Sequence, residues 1–381
     1  MNGRPEHWEL ICRLLRGEHP EWAHAENREI VDEFWKLAAY HGVAGLVYYA
    51  LKQSRLLSAW PMELVDRLRA DAMFEAAREA IRGRELGKLL VMLADADVMP
   101  LLLKGTPLAY TIYPEPALRL RADTDMLIGP ADLDPLSRVM AQLGYARSLG
   151  VEGELVSSQT SFSRADAFGI CHVIDVHWRI SNFHIFNSAP AYLELASHAI
   201  AVARLGPQAR TLRPIDALLL ACMHRLGHQQ APYYVDGVPH YDSNRLIWLY
   251  DIHLLARSFT TEQWLEFADA AVARRLQLLC ADGLKAAQQA FATAIPADIN
   301  AILTRASKSP ALPVGRFRMA RWRWELAEIM ALPTWRGRLA LLKEHLMPST
   351  AYLQEKYRLR SRRWLAVFYL RRALAGVWKR L

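Results

Sequence analysis

Apolar residues recur every three or four positions through roughly the first 97 residues, as in "REIVDEFWKLAAYHGVAGLVYYAL" and "MELVDRLRADAMFEAAREAIRGRELGKLLVMLADA". With little Gly or Pro inside them, these stretches predict amphipathic helices. The period then breaks at "VMPLLLKG" (98–105), a short apolar run closed by Gly105, which predicts a buried strand feeding a turn. "TPLAYTIY" follows as a helix start, with Thr106 as its cap and Pro107 in its first turn. A second strand is expected near 124–128. Beyond it a helix should run from a cap at Asp132 to about Gly144. "TSFSRADAFGICHVIDVHWRI" predicts a hairpin with arms over 160–164 and 170–180. From about residue 190 helices return, interrupted by "QQAPYYVDGVPHYDSN" (229–244), whose turn residues predict an irregular loop.

This order predicts an α+β protein: a small mixed sheet embedded in mostly helical N- and C-terminal parts. The expected division is a helical region over 1–97, a core sheet over 98–182, a helical domain over 183–310 and a basic helical region over 311–381. A chain of 381 residues, 52% hydrophobic with 12 tryptophans, is far from a disordered composition. Cys12, Cys171, Cys222 and Cys280 form no CxxC pair and are read as reduced core thiols. With no apolar leader at the N-terminus, that reading predicts a cytoplasmic protein without signal peptide or membrane anchor. The net charge of +8 is concentrated at the end, with an excess of about 12 basic residues from Val314 onward.

The chemistry starts in "LRLRADTDMLI" (118–128). Asp123 and Asp125 point the same way in an extended chain, at the mouth of an apolar strand. "VIDVHW" places Asp175 on another strand built for burial, and pairing of the two strands would bring the three carboxylates together. Such a group repels itself and suits a hard divalent cation, Mg2+ with Mn2+ as a substitute. Two such ions could serve phosphoryl or nucleotidyl transfer. Replacing one of them, as in Asp125→Asn, should then relieve repulsion, abolishing transfer while leaving the chain as stable or more stable. Upstream, the Lys104–Gly105–Thr106 turn from strand into helix is an expected phosphate site, with Arg119 and Arg121 adding positive charge. His177 shares the strand face of Asp175, as a packing histidine or as a partner of the acids. His224 and His228 are read as a packing pair, and Asp251 as the buried partner of a histidine or arginine.

The succession strand–Lys-Gly–helix, "YPEPALRLRADTDMLI", "IDVHW", "LRPIDALLLACMHRLGH" and "LIWLYDIHLLA" resembles a bacterial family of uncharacterised nucleotidyltransferases within the DNA polymerase β-type superfamily, over roughly residues 35–300. The resemblance implies a three-carboxylate metal site and a nucleoside triphosphate donor. Asp123 and Asp125 stand at its paired metal ligands and Asp175 at its third carboxylate. Gly105 and Thr106 stand at its phosphate turn, which reads Lys-Gly-Thr here in place of Gly-Gly-Ser or Gly-Ser. The expected activity is metal-dependent transfer of a nucleoside monophosphate to a small-molecule, sugar-phosphate or peptide acceptor. Two alternatives are a non-catalytic nucleotide-binding regulator or antitoxin-like protein, and an RNA-end-modifying toxin. DNA is not an expected partner. In the tail, Trp364, Phe368 and Trp378 fall at helical spacing, which favours packing on the helical domain or on a membrane surface and leaves RNA a weak ligand.

Overall fold

The computed structural model describes residues 5–23, 27–148, 155–235, 237–305 and 320–347, with 350, 357 and 369. Most of the tail, including Trp364, Phe368 and Trp378, lies outside the described residues. The expected N-terminal helices form as α1 (Pro5–Leu15), α2 (Arg28–Tyr40), α3 (Ala44–Gln53) and α4 (Met62–Asp95). The 34-residue α4 is long enough to meet both the helical mass and the sheet. Its first turns bury Leu64 and Leu68 among α1–α3, and its last turns bury Leu89 and Leu93 under the strands.

Strands β1 (Leu101–Leu103), β2 (Thr124–Leu127), β4 (Gln159–Ala165) and β5 (Cys171–His177) arise where the apolar runs predict them. Helix α5 (Gly105–Thr111) follows β1, and α6 (Leu133–Gln142) follows β2. The expected cap differs, because α5 begins one residue before Thr106, at Gly105, with Lys104 in the capping position. Three two-residue strands extend the sheet: β3 (Ala146–Arg147), β6 (Ile200–Ala201) and β7 (Arg210–Thr211), the last two flanking α7 (Tyr192–Ser197) on its C-terminal side. They are too short to carry a period, which explains why the stretch beyond 190 reads as helical.

The seven strands lie in the order β3-β4-β5-β2-β1-β7-β6. β2 is central, antiparallel to β1 and parallel to β5, so the expected mixed sheet is present. Alternation separates two cores. Leu102, Met126, Ile174, Val176 and Phe162 face the end of α4 and α6. Leu101, Leu103 and Leu127 face a larger core built with α1–α3 and the helices that follow the sheet. Those are α8 (Pro214–Gly227), α9 (Leu246–Arg257), α10 (Thr261–Ala273), α11 (Gln277–Phe291) and α12 (Ala297–Thr304). The 229–244 segment is not irregular throughout: within it β8 (Tyr233–Val235) and β9 (Val238–His240) pair antiparallel, and Tyr233 packs against Trp248. Cys12, Cys222 and Cys280 are buried free thiols, but Cys171 is exposed at the start of β5, so not all four belong to the core.

Helices α13 (Arg321–Ala331) and α14 (Trp335–Leu346) lie across the connections around β4 and β5. Glu328 accepts the backbone N–H groups of His184 and Ile185, and Glu344 those of Leu155 and Val156. Among the described residues, no helix is long and apolar enough to cross a membrane.

Candidate functional site

The strand register sets a row of polar groups across one face of the sheet. Leu103 pairs with Asp125, Asp125 with Asp175, and Asp175 with Ser161. Paired residues on neighbouring strands present side chains to the same face. Asp125 and Asp175 therefore stand side by side on the face turned toward α8 and α9. Asp123 precede β2 by one residue and keeps the two-residue spacing from Asp125. Of the three acids that sequence reasoning groups, the register sets Asp125 beside Asp175, and Asp123 lies near enough to feel the charge of both.

Each carboxylate has a different environment. Asp125 is buried, and its Oδ1 accepts both from Lys104 Nζ (2.5 Å) and from His177 Nε2–H (2.8 Å). Burial alone would raise its pKa, but the Lys104 charge and the His177 bond outweigh that and pull it below the usual carboxylate range. Asp175 accepts from Ser161 Oγ through its Oδ1 (2.5 Å). Asp123 carries no comparable partner charge of its own. Burial, with the charges of Asp125 and Asp175, pushes it up to about 6 against the opposing pull of Lys104 and Arg121. The repulsion expected from the sequence thus falls on Asp123, while Asp125 is compensated internally.

The expected cationic surround divides differently. Arg119 is closed in a buried ion pair: Nε and Nη2 donate to both oxygens of Asp251 at 2.6–3.0 Å, and Nη1 donates to the Leu120 carbonyl. Tyr113 Oη donates to the same Asp251 at 2.8 Å. Arg121 donates to Glu79 and to Thr124 Oγ1. The two arginines fasten the 119–121 segment, one to α9 and one to α4. Arg82 of α4 adds a bond to the Arg121 carbonyl. Gly105 is buried under Arg119, whose guanidinium atoms would lie 3.1–3.2 Å from a Cβ placed there. Thr106 is buried as well, 3.5 Å from Thr124 Oγ1, so this turn is packed rather than open.

Two further readings have a definite place. Asp251 is the buried partner of an arginine. His228 donates Nδ1–H to the Ala231 carbonyl (3.1 Å), leaving its Nε2 to accept from His224 Nε2–H (3.0 Å). Burial lowers both histidines, His228 to about 4, which suits a neutral packed pair. Beside them, a cavity of about 240 Å3 lies between α5, α8 and α9, with Lys104, Leu108, Leu220, His224 and Trp248 in its wall. Sequence reasoning missed Ser161 and Glu79. Ser161 announces itself only through register, and Glu79 is one charge among many on a long helix.

Among the described residues, no three His, Cys, Asp or Glu side chains are gathered closely enough to enclose a metal ion as they stand. The donor set still fits a hard cation, since three carboxylates from one sheet face offer oxygen ligands. The oxygens now bonded to Lys104, His177 and Ser161 would leave Asp125 Oδ2, Asp175 Oδ2 and Asp123 to hold it.

The chain belongs to the family described as Uncharacterised nucleotidyltransferase, which matches residues 28–292. No curated protein matches it. The match spans α2 to α11 and so contains every residue of the carboxylate row.

Proposed function

We propose that the protein is a metal-dependent nucleotidyltransferase in which Asp123, Asp125 and Asp175 hold a divalent cation, Mg2+ or Mn2+, against a nucleoside triphosphate. The observation that carries this reading is the register of Asp125 opposite Asp175 on adjacent parallel strands, with Asp123 two residues upstream. Bound there, the cation would polarise the donor's α-phosphate and lower the barrier to its attack. Asp175 holds its Oδ2 free to orient or deprotonate an acceptor hydroxyl, and Ser161 fixes the carboxylate that does so. The cavity beside Lys104 gives room for the apolar part of a small-molecule or peptide acceptor.

Melting curves with each nucleoside triphosphate and Mg2+, followed by transfer of an α-32P label to candidate acceptors, test the proposal. Stabilisation by one triphosphate only when Mg2+ is present, with label transfer lost in Asp175→Asn, is the expected result. Absence of any metal-dependent stabilisation would end it. A second reading, a nucleotide-binding regulator without turnover, draws on the packed Gly105–Thr106 turn and the internally bonded carboxylates. It predicts the same stabilisation with no transfer.

A further inference from the structure

We propose that Lys104 is a resident cation of the carboxylate group, so that the site takes one divalent ion rather than two. The inference rests on the metal-binding reading above.

Lys104 has φ 56° and ψ −131°, a backbone region that side-chain-bearing residues avoid and glycine enters freely. The turn from β1 into α5 would therefore form at least cost with glycine. Lysine here is strained, and strain of this kind persists only where surrounding contacts over-determine it. The contact that does so is the ammonium 2.5 Å from Asp125 Oδ1. The neighbouring arginines cannot take over this role. Arg119 is committed to Asp251, Arg121 to Glu79, and Arg82 to the carbonyls of Arg121 and Ala122.

Two ions about 3.5–4 Å apart would draw on both oxygens of the carboxylate between them. Asp125, the central member of the row, has Oδ1 already occupied by Lys104 and His177. A second ion would have to share that oxygen with an ammonium at hydrogen-bonding distance. Charge leads to the same conclusion. Before a triphosphate binds, three carboxylates with one lysine leave two negative charges, which a single divalent ion neutralises.

Mn2+ binding to the full-length protein, followed by the EPR signal of the free ion, tests this without any turnover. The titration is run alone and with the α,β-methylene analogue of ATP. About one ion per chain is expected in both conditions. Lys104→Met should admit a second ion in the presence of the analogue, and Lys104→Arg should restore a single one. Lys104→Gly also relieves the turn, and gives the same readout if Lys104→Met fails to fold. Two ions bound by the unaltered protein would overturn the role of Lys104 and leave the metal site standing. So would a single ion in both Lys104→Met and Lys104→Gly. No bound Mn2+ in any form would remove the metal-binding reading and this inference with it.

Discussion

Replacing Asp251 by alanine isolates the contact that joins the helical part to the candidate site. Asp251 and Arg119 are each only 6% exposed at the side chain, so solvent screens the pair little. The substitution leaves the Arg119 guanidinium buried without a counter-charge and the Tyr113 hydroxyl without its acceptor. Breaking a buried ion pair from one side costs about 3–5 kcal/mol. An orphaned hydroxyl adds about 1–3 kcal/mol where no water reaches it. Against a typical total of about 5–15 kcal/mol, a loss of about 4 kcal/mol or more would shift the urea midpoint by more than a molar unit at an m-value of about 3 kcal/mol/M. Urea unfolding followed by circular dichroism reads this directly, and Asp251→Asn, which keeps an acceptor oxygen, should lose less. An Asp251→Ala protein within about 1 kcal/mol of the parent would refute the pair as the fastening of the 119–121 segment.

The carboxylate row predicts opposite signs for neighbouring positions. Asp123→Asn should be neutral or stabilising, because it removes the least compensated charge, whereas Asp125→Asn should cost about 2 kcal/mol or more by stripping Lys104 of its partner. Equal effects from the two, measured by the same urea titration, would contradict the division of charge described above. Burial pushes Glu328 up to about 7, against the pull of the His184 and Ile185 N–H groups and the Arg179 charge. A carboxyl raised in this way contributes stability below about pH 4.5 that is lost as the pH rises through 7, so Glu328→Gln should flatten the decline between those values. An unchanged slope would refute that origin. Gly105→Ala would press a methyl group to 3.1 Å from the Arg119 guanidinium, which Asp251 prevents from yielding, and should cost about 1–3 kcal/mol in melting or urea experiments.

Much of the candidate site could be read before the fold was known, because its signals are local. The Asp123–Asp125 spacing fixes a shared direction in extended chain, and Asp175 between Ile174 and Val176 is conspicuous in a buried strand. The consequence of removing a carboxylate was legible only in part. Spacing alone makes the three acids alike and Asp125→Asn harmless to stability; their difference arises from Lys104, which turns back onto Asp125 through an unusual backbone conformation. Arg119 and Arg121 read as free charge for the same reason: their partners Asp251 and Glu79 are 132 and 42 residues away in sequence. The β8–β9 hairpin escaped notice because three-residue strands around Gly237 look like a loop when composition is the guide.

The place of β2 between β1 and β5 also bears on the order in which the chain assembles. β4 and β5 form a local hairpin that can close early, whereas the parallel β2–β5 pairing must wait for the whole stretch from α6 to β5. Closing the sheet is then the step that brings Asp125 against Asp175. Until that docking the two halves of the row sit on separate pieces of chain, each tolerably hydrated. This topology leads us to expect that the electrostatic cost of the site is met late in folding, at the seam between a local hairpin and the β1–β2 pair that carries Lys104.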